Sequence, residues 1–178
     1  MKIPVSEIPQ SPKEIQFSES IEVLNEVYGS KSVCDFRFPP FLDIDLLYYR
    51  SGAELFFHGK FSGTFQGCCS RCLKLYSFDL AKEFDLALIP VPAQAERGAE
   101  ELNRDDLGLS YYSTEEINVT PLIIEQVMLA LPTRPLCAET CRGLCGGCGV
   151  NLNTENCVCC VSVGDPRMAI FRTLKVGR

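Results

Sequence analysis

The cysteines offer the most chemistry in this chain. Eleven of them occur among 178 residues, beside a single histidine. Most lie at short intervals within two stretches of the sequence. Thiols at such intervals can hold a metal ion, form disulfides or exchange electrons, so their spacing and surroundings decide between these uses.

The first stretch is GCCSRCLKL, at positions 67–75. Cys69 and Cys72 have the C-x₂-C spacing, at which two thiolates of one tight turn can bind the same ion. Cys68 precedes this pair. Because alternate side chains of an extended strand point to opposite faces, we expect Cys68 to point away from Cys69.

The second stretch is denser, with the pattern C-x₃-C-x₃-C-x₂-C followed by C-x-C-C. Its members are Cys137, Cys141, Cys145, Cys148, Cys157, Cys159 and Cys160. Gly146 and Gly147 lie between the third and fourth of these. Glycines at this point allow the backbone to bend so that its amides face the sulfur atoms and stabilise thiolate charge.

A tetrahedral zinc site takes four ligands, so eight of the cysteines divide into two sites. One predicted site is Cys69, Cys72, Cys137 and Cys141, which would tie a hairpin to the segment after a buried helix. The other is Cys145, Cys148, Cys157 and Cys159, which would close a small loop of the tail. Cys34, Cys68 and Cys160 are left over, and either Cys159 or Cys160 can supply the last ligand. The spacing therefore predicts one or two structural Zn²⁺ ions.

Other uses of these thiols stay open. Four thiolates also suit an iron–sulfur cluster. A redox dithiol at Cys145 and Cys148 would require a strand before it and a helix after it, whereas Gly149-Val150-Asn151 indicates a loop. A disulfide framework is disfavoured because the count is odd and MKIPVSEIPQ lacks the pattern of a secretory signal. We therefore expect a reducing, cytoplasmic location.

Catalysis is not expected. A closed four-thiolate site leaves no open position for water or a substrate. His58, the only histidine, falls on the polar side of a predicted strand, and a nucleophilic triad cannot be built without a second histidine. No glycine loop that could cradle a phosphate precedes a helix. The sequence contains no run of about eighteen apolar residues, the length that a membrane-spanning helix needs. We expect a non-enzymatic protein with no small-molecule substrate and no membrane contact.

The elements that position the cysteines are predicted to form an α+β fold. Leu42, Ile44 and Leu46 alternate with acidic residues, and similar alternations cover 55–67 and 78–88. Such runs with short connections predict an antiparallel β meander with one wet face. A helix over 120–131 begins at Thr120 as its N-cap and is apolar almost all round, which predicts that it is buried against the sheet.

The chain is predicted to divide into a β-rich body, 1–133, and a zinc-binding tail, 134–178, which pack as one compact unit. In the body, Ser18 is predicted to cap a short helix that ends at Gly29. The segment 91–114 is predicted to be a mobile surface loop, and a brief strand follows over 116–119. In the tail, Asp165-Pro166 begins a short terminal helix.

The net charge of −6 is unevenly distributed. The body carries −9, whereas the tail carries +3. Any contact with phosphate is therefore expected to begin in the tail. The candidate RNA-binding residues, which cluster around the predicted terminal helix, are Arg167, Arg172, Lys175 and Arg178.

Three motifs carry a resemblance to a known family. They are CSRCL at 69–73, LALPTRPLCAETCRGLCGGCGVNLN at 129–153 and DPR at 165–167. In this order they resemble the YceD family of bacterial and chloroplast proteins, called large ribosomal RNA subunit accumulation proteins, also known as domain of unknown function 177. The resemblance extends from about residue 20 to the end. It implies a role in accumulation of the large-subunit (23S) ribosomal RNA, hence in ribosome biogenesis rather than catalysis.

The resemblance and the charge distribution together suggest partners. The basic tail would face large-subunit rRNA or a pre-ribosomal particle, while the acidic body would face a basic ribosomal protein. An acidic body that is merely solvated explains the same charges equally well. Two other functional classes also stay open: a zinc-organised adaptor that binds only proteins, and a thiol redox or metal-carrier protein.

Overall fold

The computed structural model describes residues 1–29, 36–91 and 109–159. In these ranges the chain is mostly strand, with two α-helices and a 3-10 turn over Val5–Glu7. The strands are β1 (Lys2–Pro4), β2 (Lys13–Ser20), β3 (Phe36–Arg37), β4 (Phe41–Ser51), β5 (Glu54–Cys68), β6 (Leu75–Pro90), β7 (Leu109–Tyr112) and β8 (Glu116–Asn118). The helices are α1 (Glu22–Gly29) and α2 (Val119–Ala130). The fold is thus mixed α/β, in agreement with the predicted class at that level.

The main sheet has the strand order β2-β4-β5-β6-β7, and β3 also pairs with β5. The predicted antiparallel meander is confirmed, because β4, β5 and β6 pair antiparallel in sequence order. β5 and β6 are long, with 15 and 16 residues. They stay paired without interruption from Leu55 opposite Leu88 to Cys68 opposite Leu75. This continuous hairpin carries the first cysteine pair at its tip.

The hydrophobic core lies on one face of this sheet. Phe57, Phe61 and Phe65 of β5 are almost completely buried. Gly59 lies between them, opposite Phe84 of β6. A Cβ at Gly59 would lie 2.0 Å from the Phe84 Cζ atom, so the aromatic ring occupies the space that a side chain would need.

Helix α2 differs from its prediction in its start and in its burial. It begins at Val119 rather than Thr120, because the Asn118 side chain is the cap and accepts a hydrogen bond from the Thr120 amide at 3.3 Å. Only one stripe of the helix, with a period of four residues, is buried. Leu129, outside that stripe, is 71% exposed. The predicted burial therefore applies to one face of the helix, along which it packs on the core. The predicted short strand before it is present as β8, which pairs with β1.

Two further predictions were wrong. Ser18 does not cap a helix: it lies in β2, where its hydroxyl donates to Asp43 Oδ1 at 2.6 Å, and α1 begins at Glu22. The segment predicted as a loop over 91–114 includes β7, which extends the sheet by pairing parallel to β6. Residues 92–108 of that segment lie outside the described residues, as does the predicted terminal helix. In the described ranges, neither helix is long and apolar enough to cross a membrane. The division at residue 133 stays a prediction.

Candidate metal centres

The tip of the β5–β6 hairpin positions the first two thiols. The Cys69 amide donates to the Lys74 carbonyl, and the Leu73 amide donates to the Cys69 carbonyl, both at 2.9 Å. Leu73 has a left-handed backbone conformation, with φ of 58°, which is rare for residues other than glycine. This conformation lets the chain turn back into β6. The tight turn thus formed holds Cys69 and Cys72 close together.

The segment that follows α2 supplies two more thiols. It is fastened to the hairpin tip by a hydrogen bond from the Ser70 amide to the Pro135 carbonyl, 2.9 Å long. Cys69 and Cys141 have Sγ atoms 3.8 Å apart, and the Sγ atoms of Cys72 and Cys137 are 3.7 Å apart. All four lie within 4.8 Å of one another. We call these four residues the first tetrad.

A second tetrad lies further along the chain, and it consists of Cys145, Cys148, Cys157 and Cys159. The Cys157 sulfur is 3.2 Å from that of Cys145 and 3.7 Å from that of Cys148. The first half of its loop is closed by a hydrogen bond from the Cys145 amide to the Val150 carbonyl at 2.8 Å. Gly149 has a left-handed backbone conformation, with φ of 75°, which turns the chain back so that this hydrogen bond can form.

The spacing of the sulfur atoms fits a metal ion. Four thiolates at the usual Zn–S distance of about 2.3 Å, placed tetrahedrally, lie about 3.8 Å from one another. Three of the four sulfur pairs given above come within 0.1 Å of that separation, and the Cys145–Cys157 pair is closer, at 3.2 Å. The nine described cysteines are all free of disulfides. Both tetrads could therefore hold metal ions.

The two groups contain the same residues as the two sites predicted from spacing. Cys159 belongs to the second tetrad. Cys68 belongs to neither, and its sulfur lies 3.4 Å from the Leu73 carbonyl. Cys34 and Cys160 lie outside the described residues. That the eight thiols ligate a metal stays a prediction.

The electrostatics of each tetrad favour a bound cation. Burial raises the pKa of Cys69, but amide N–H groups of the turn and of the facing segment outweigh it and lower that pKa to about 6. Backbone N–H donors of its loop likewise lower the pKa of Cys145 to about 6. Burial and neighbouring sulfurs raise the pKa of Cys137 to about 12. The neighbouring sulfurs raise that of Cys159 to about 12. Four thiols this close cannot all ionise unless a cation offsets their charge.

Arg71, between the two cysteines of the hairpin tip, joins the tip to the tail. Its Nη1 atom donates to the Glu139 carbonyl at 2.9 Å and to the Cys141 carbonyl at 2.8 Å. Its own carbonyl accepts from the Leu144 amide at 3.0 Å. The sequence motif contains this arginine, but its spacing gave no sign of the role. The guanidinium acts on backbone groups that are distant in sequence.

Asn153 connects the two tetrads. Its Nδ2 donates to the Cys141 sulfur at 3.3 Å, and its Oδ1 accepts from the Arg142 amide at 2.8 Å. The loop that holds the second tetrad therefore contacts a sulfur atom of the first. Hydrogen bonds to ligating sulfur orient the ligand and stabilise its charge. The NLN of the family motif, 151–153, was the available signal for this residue.

The other residues considered in the sequence analysis are the four candidate RNA-binding residues and His58. Arg167, Arg172, Lys175 and Arg178 lie outside the described residues. His58 lies on the exposed face of β5 as expected, with its Nδ1 atom 2.5 Å from Asp85 Oδ1 and its ring stacked on Tyr49.

Replacing Asn153 tests the connection between the tetrads. Asn153→Leu keeps the approximate size of the side chain but removes the donor to Cys141 and the acceptor for the Arg142 amide. We expect a loss of about 1 kcal/mol of stability and faster removal of metal by a chelator, because a sulfur loses its hydrogen bond. Thermal unfolding and chelator competition measure the two effects. Asn156→Leu, at an exposed neighbouring position, is the control, and equal behaviour of the two variants would contradict the assigned role.

Comparison with known proteins agrees with the motifs. Residues 57–175 match the model of the family described as large ribosomal RNA subunit accumulation protein YceD. Uncharacterized proteins of Mycobacterium bovis and of two strains of Mycobacterium tuberculosis are 30% identical over 114 residues, which are 64% of this chain and 53% of each relative. The chain thus spans about half the length of the curated relatives it matches. No solved structure matches it.

The family match includes most of β5, all of β6 and α2, and every cysteine of both tetrads. The chain belongs to the YceD family of large ribosomal RNA subunit accumulation proteins.

Proposed function

We propose that this chain is a non-enzymatic, cytoplasmic factor of ribosome biogenesis that supports accumulation of 23S rRNA and is stabilised by two structural zinc ions. The role in assembly rests on the family match over 57–175. The zinc ions rest on one observation, the two groups of four thiols whose sulfur atoms lie within 4.8 Å of one another.

Single ions explain these tetrads better than iron–sulfur clusters do. The thiolates of a four-iron cluster each bind a different iron atom and therefore stand farther apart than ligands of one ion. Sulfur separations of 3.2–3.8 Å suit a shared ion. A lone iron ion would have the same ligands, and zinc is proposed because an all-thiolate tetrahedral site is its usual structural setting.

A structural role follows from the closed ligand set. With four thiolates per ion, no position is left for water or substrate. Within the described residues, the hairpin tip and the tail share a small apolar cluster around the first tetrad, formed by Tyr76, Leu136 and Leu144. Structural zinc contributes on the order of 10 kcal/mol to folding in small modules. The ions therefore act as cross-links in place of an extended core.

The distribution of charge supports different binding partners for the body and the tail. The outer face of the sheet is acidic: its exposed acids include Glu14, Asp43, Asp45, Asp79, Glu83 and Asp85. Lys60 pairs with one of them at 3.0 Å. Such a face complements a basic ribosomal protein. It is also the observation that favours the second candidate function, a zinc-organised adaptor that binds only proteins.

The metal centres change the charge of the tail. A divalent ion with four thiolates carries a net charge of −2, so two centres offset the tail's +3. Residues near the tetrads are thus poor candidates for phosphate contact. We assign that contact to Arg167, Arg172, Lys175 and Arg178, which lie beyond the last tetrad cysteine in sequence.

The two sites can be separated by substitution. Cys72→Ser removes a ligand that joins hairpin and tail, so we expect loss of one ion and a lower melting temperature of the whole chain. Cys148→Ser should also release one ion but expose only residues near 145–159, leaving the sheet intact. Metal analysis and hydrogen exchange measure these effects. Cys68→Ser, outside both tetrads, should retain both ions. If both ligand variants lose the same ion and open the same segment, the division of ligands is wrong.

The role in the cell is tested by deletion and complementation. Cells without the protein should contain less 23S rRNA and show a smaller large-subunit peak on a sucrose gradient. A variant with Glu at all four of Arg167, Arg172, Lys175 and Arg178 should fail to restore that peak while its zinc content stays normal. Each lost phosphate contact should reduce the salt slope of RNA binding by about one unit.

The matched control keeps the charge, with Lys at the three arginine positions and Arg at Lys175, and it should restore the peak. Normal particle profiles with the Glu variant would remove the tail from RNA contact and favour the protein-only adaptor.

A further inference from the structure

The two tetrads differ in their exposure to solvent. In the first, Cys69, Cys72 and Cys141 are 0%, 6% and 5% exposed. In the second, Cys148 and Cys159 are exposed and the other two thiols are half-buried. A small solute can therefore reach sulfur in the second tetrad, whereas three of the four sulfurs of the first are enclosed.

The surroundings of Cys148 increase this difference. It lies between Gly147 and Gly149, neither of which has a side chain to cover it. A Cβ built at Gly146 or Gly149 would meet no atom within 4 Å, so the loop borders open space. On the other side of the tetrad, Val158 is 96% exposed.

A second sulfur is within reach of the exposed one. The Cys157 Sγ lies 3.7 Å from that of Cys148. The backbone amide of Cys159 donates a hydrogen bond to the Cys157 sulfur at 3.2 Å, which orients this thiol within the tetrad. An accessible thiolate with a second thiol nearby is the arrangement in which reversible oxidation to a disulfide occurs.

We propose that the second tetrad is an oxidative modification site, at which a hydroperoxide converts Cys148 and Cys157 into a disulfide and releases the bound ion while the first tetrad keeps its own. This inference rests on the proposed metal function.

The chemistry balances with the hydroperoxide as oxidant. The Cys148 thiolate attacks one peroxide oxygen, the O–O bond breaks, and a sulfenic acid and hydroxide form. The Cys157 thiolate then attacks the sulfenic sulfur, the S–O bond breaks, and a second hydroxide leaves as the S–S bond forms. Two protons convert both hydroxides to water. Two thiolates are oxidised by two electrons, hydrogen peroxide is reduced to two waters, and the ion has lost two of its four ligands.

The expected structural effect is local. Asn153, in the loop of the second tetrad, would lose its fixed position beside Cys141. The hairpin tip and the segment after α2 would stay joined through the first tetrad and Arg71. Reduction with added zinc would restore the loop.

The test uses the full chain loaded with zinc and a small excess of hydrogen peroxide. A chromogenic chelator follows released zinc, and N-ethylmaleimide then blocks the remaining thiols. Cys148 and Cys157 share one tryptic peptide, so a second cut after Glu155 separates them before mass spectrometry. We expect loss of one of two ions and a disulfide between the two fragments at Cys148 and Cys157. Dithiothreitol and zinc should reverse both changes.

Cys160→Ser is the matched control, since it removes the thiol that adjoins the tetrad in sequence and should leave zinc release unchanged. Cys148→Ser should abolish the disulfide. Should this variant not fold, alkylation of the native wild type replaces it, with Cys148 expected to react before the three enclosed thiols.

Three outcomes would overturn the inference: release of both ions together, a disulfide to Cys34, Cys68 or Cys160, or a two-zinc chain that resists peroxide. A chain that holds no zinc before peroxide is added would instead overturn the proposed metal function.

Discussion

The meeting of four sulfur atoms from two distant parts of the chain is the constraint on which the rest of the structure depends. Cys69 and Cys72 come from a hairpin tip, and Cys137 and Cys141 come from the segment after α2. Thiols at 3.7–3.8 Å repel one another when ionised, and a shared cation would turn that repulsion into a cross-link. The long hairpin, the turn at Leu73 and the two hydrogen bonds of Arg71 all serve to hold these sulfurs in one place.

The second tetrad depends on the first for its position. Two hydrogen bonds fix its loop. At one end the Leu144 amide donates to the Arg71 carbonyl, and within the loop the Asn153 side chain donates to the Cys141 sulfur. The two centres are therefore neighbours of unequal character. One is enclosed and joins two parts of the chain, whereas the other is open to solvent and organises only its own loop.

Much of this arrangement could be predicted because it is encoded locally. Alternation of apolar and polar residues identified β4, β5 and β6, and ligand spacing grouped the cysteines as the structure does. What escaped prediction depends on distant partners. β1 and β7 are too short to show a period, and Ser18 resembles a helix cap until β4 is placed beside it. Arg71 and Asn153 act on groups that only the fold brings near. The formal charge of the tail counts the cysteines as neutral, whereas thiolates around a bound ion would add negative charge to it.

The claim that most needs a direct measurement is that each tetrad binds one ion through four sulfur atoms. X-ray absorption at the zinc edge of the purified full chain measures ligand type, number and distance together. The account predicts four sulfur ligands per zinc at about 2.3 Å, with two zinc ions in each chain. Nitrogen or oxygen ligands at either ion, an iron signal in place of zinc, or a folded chain that contains no metal would contradict it.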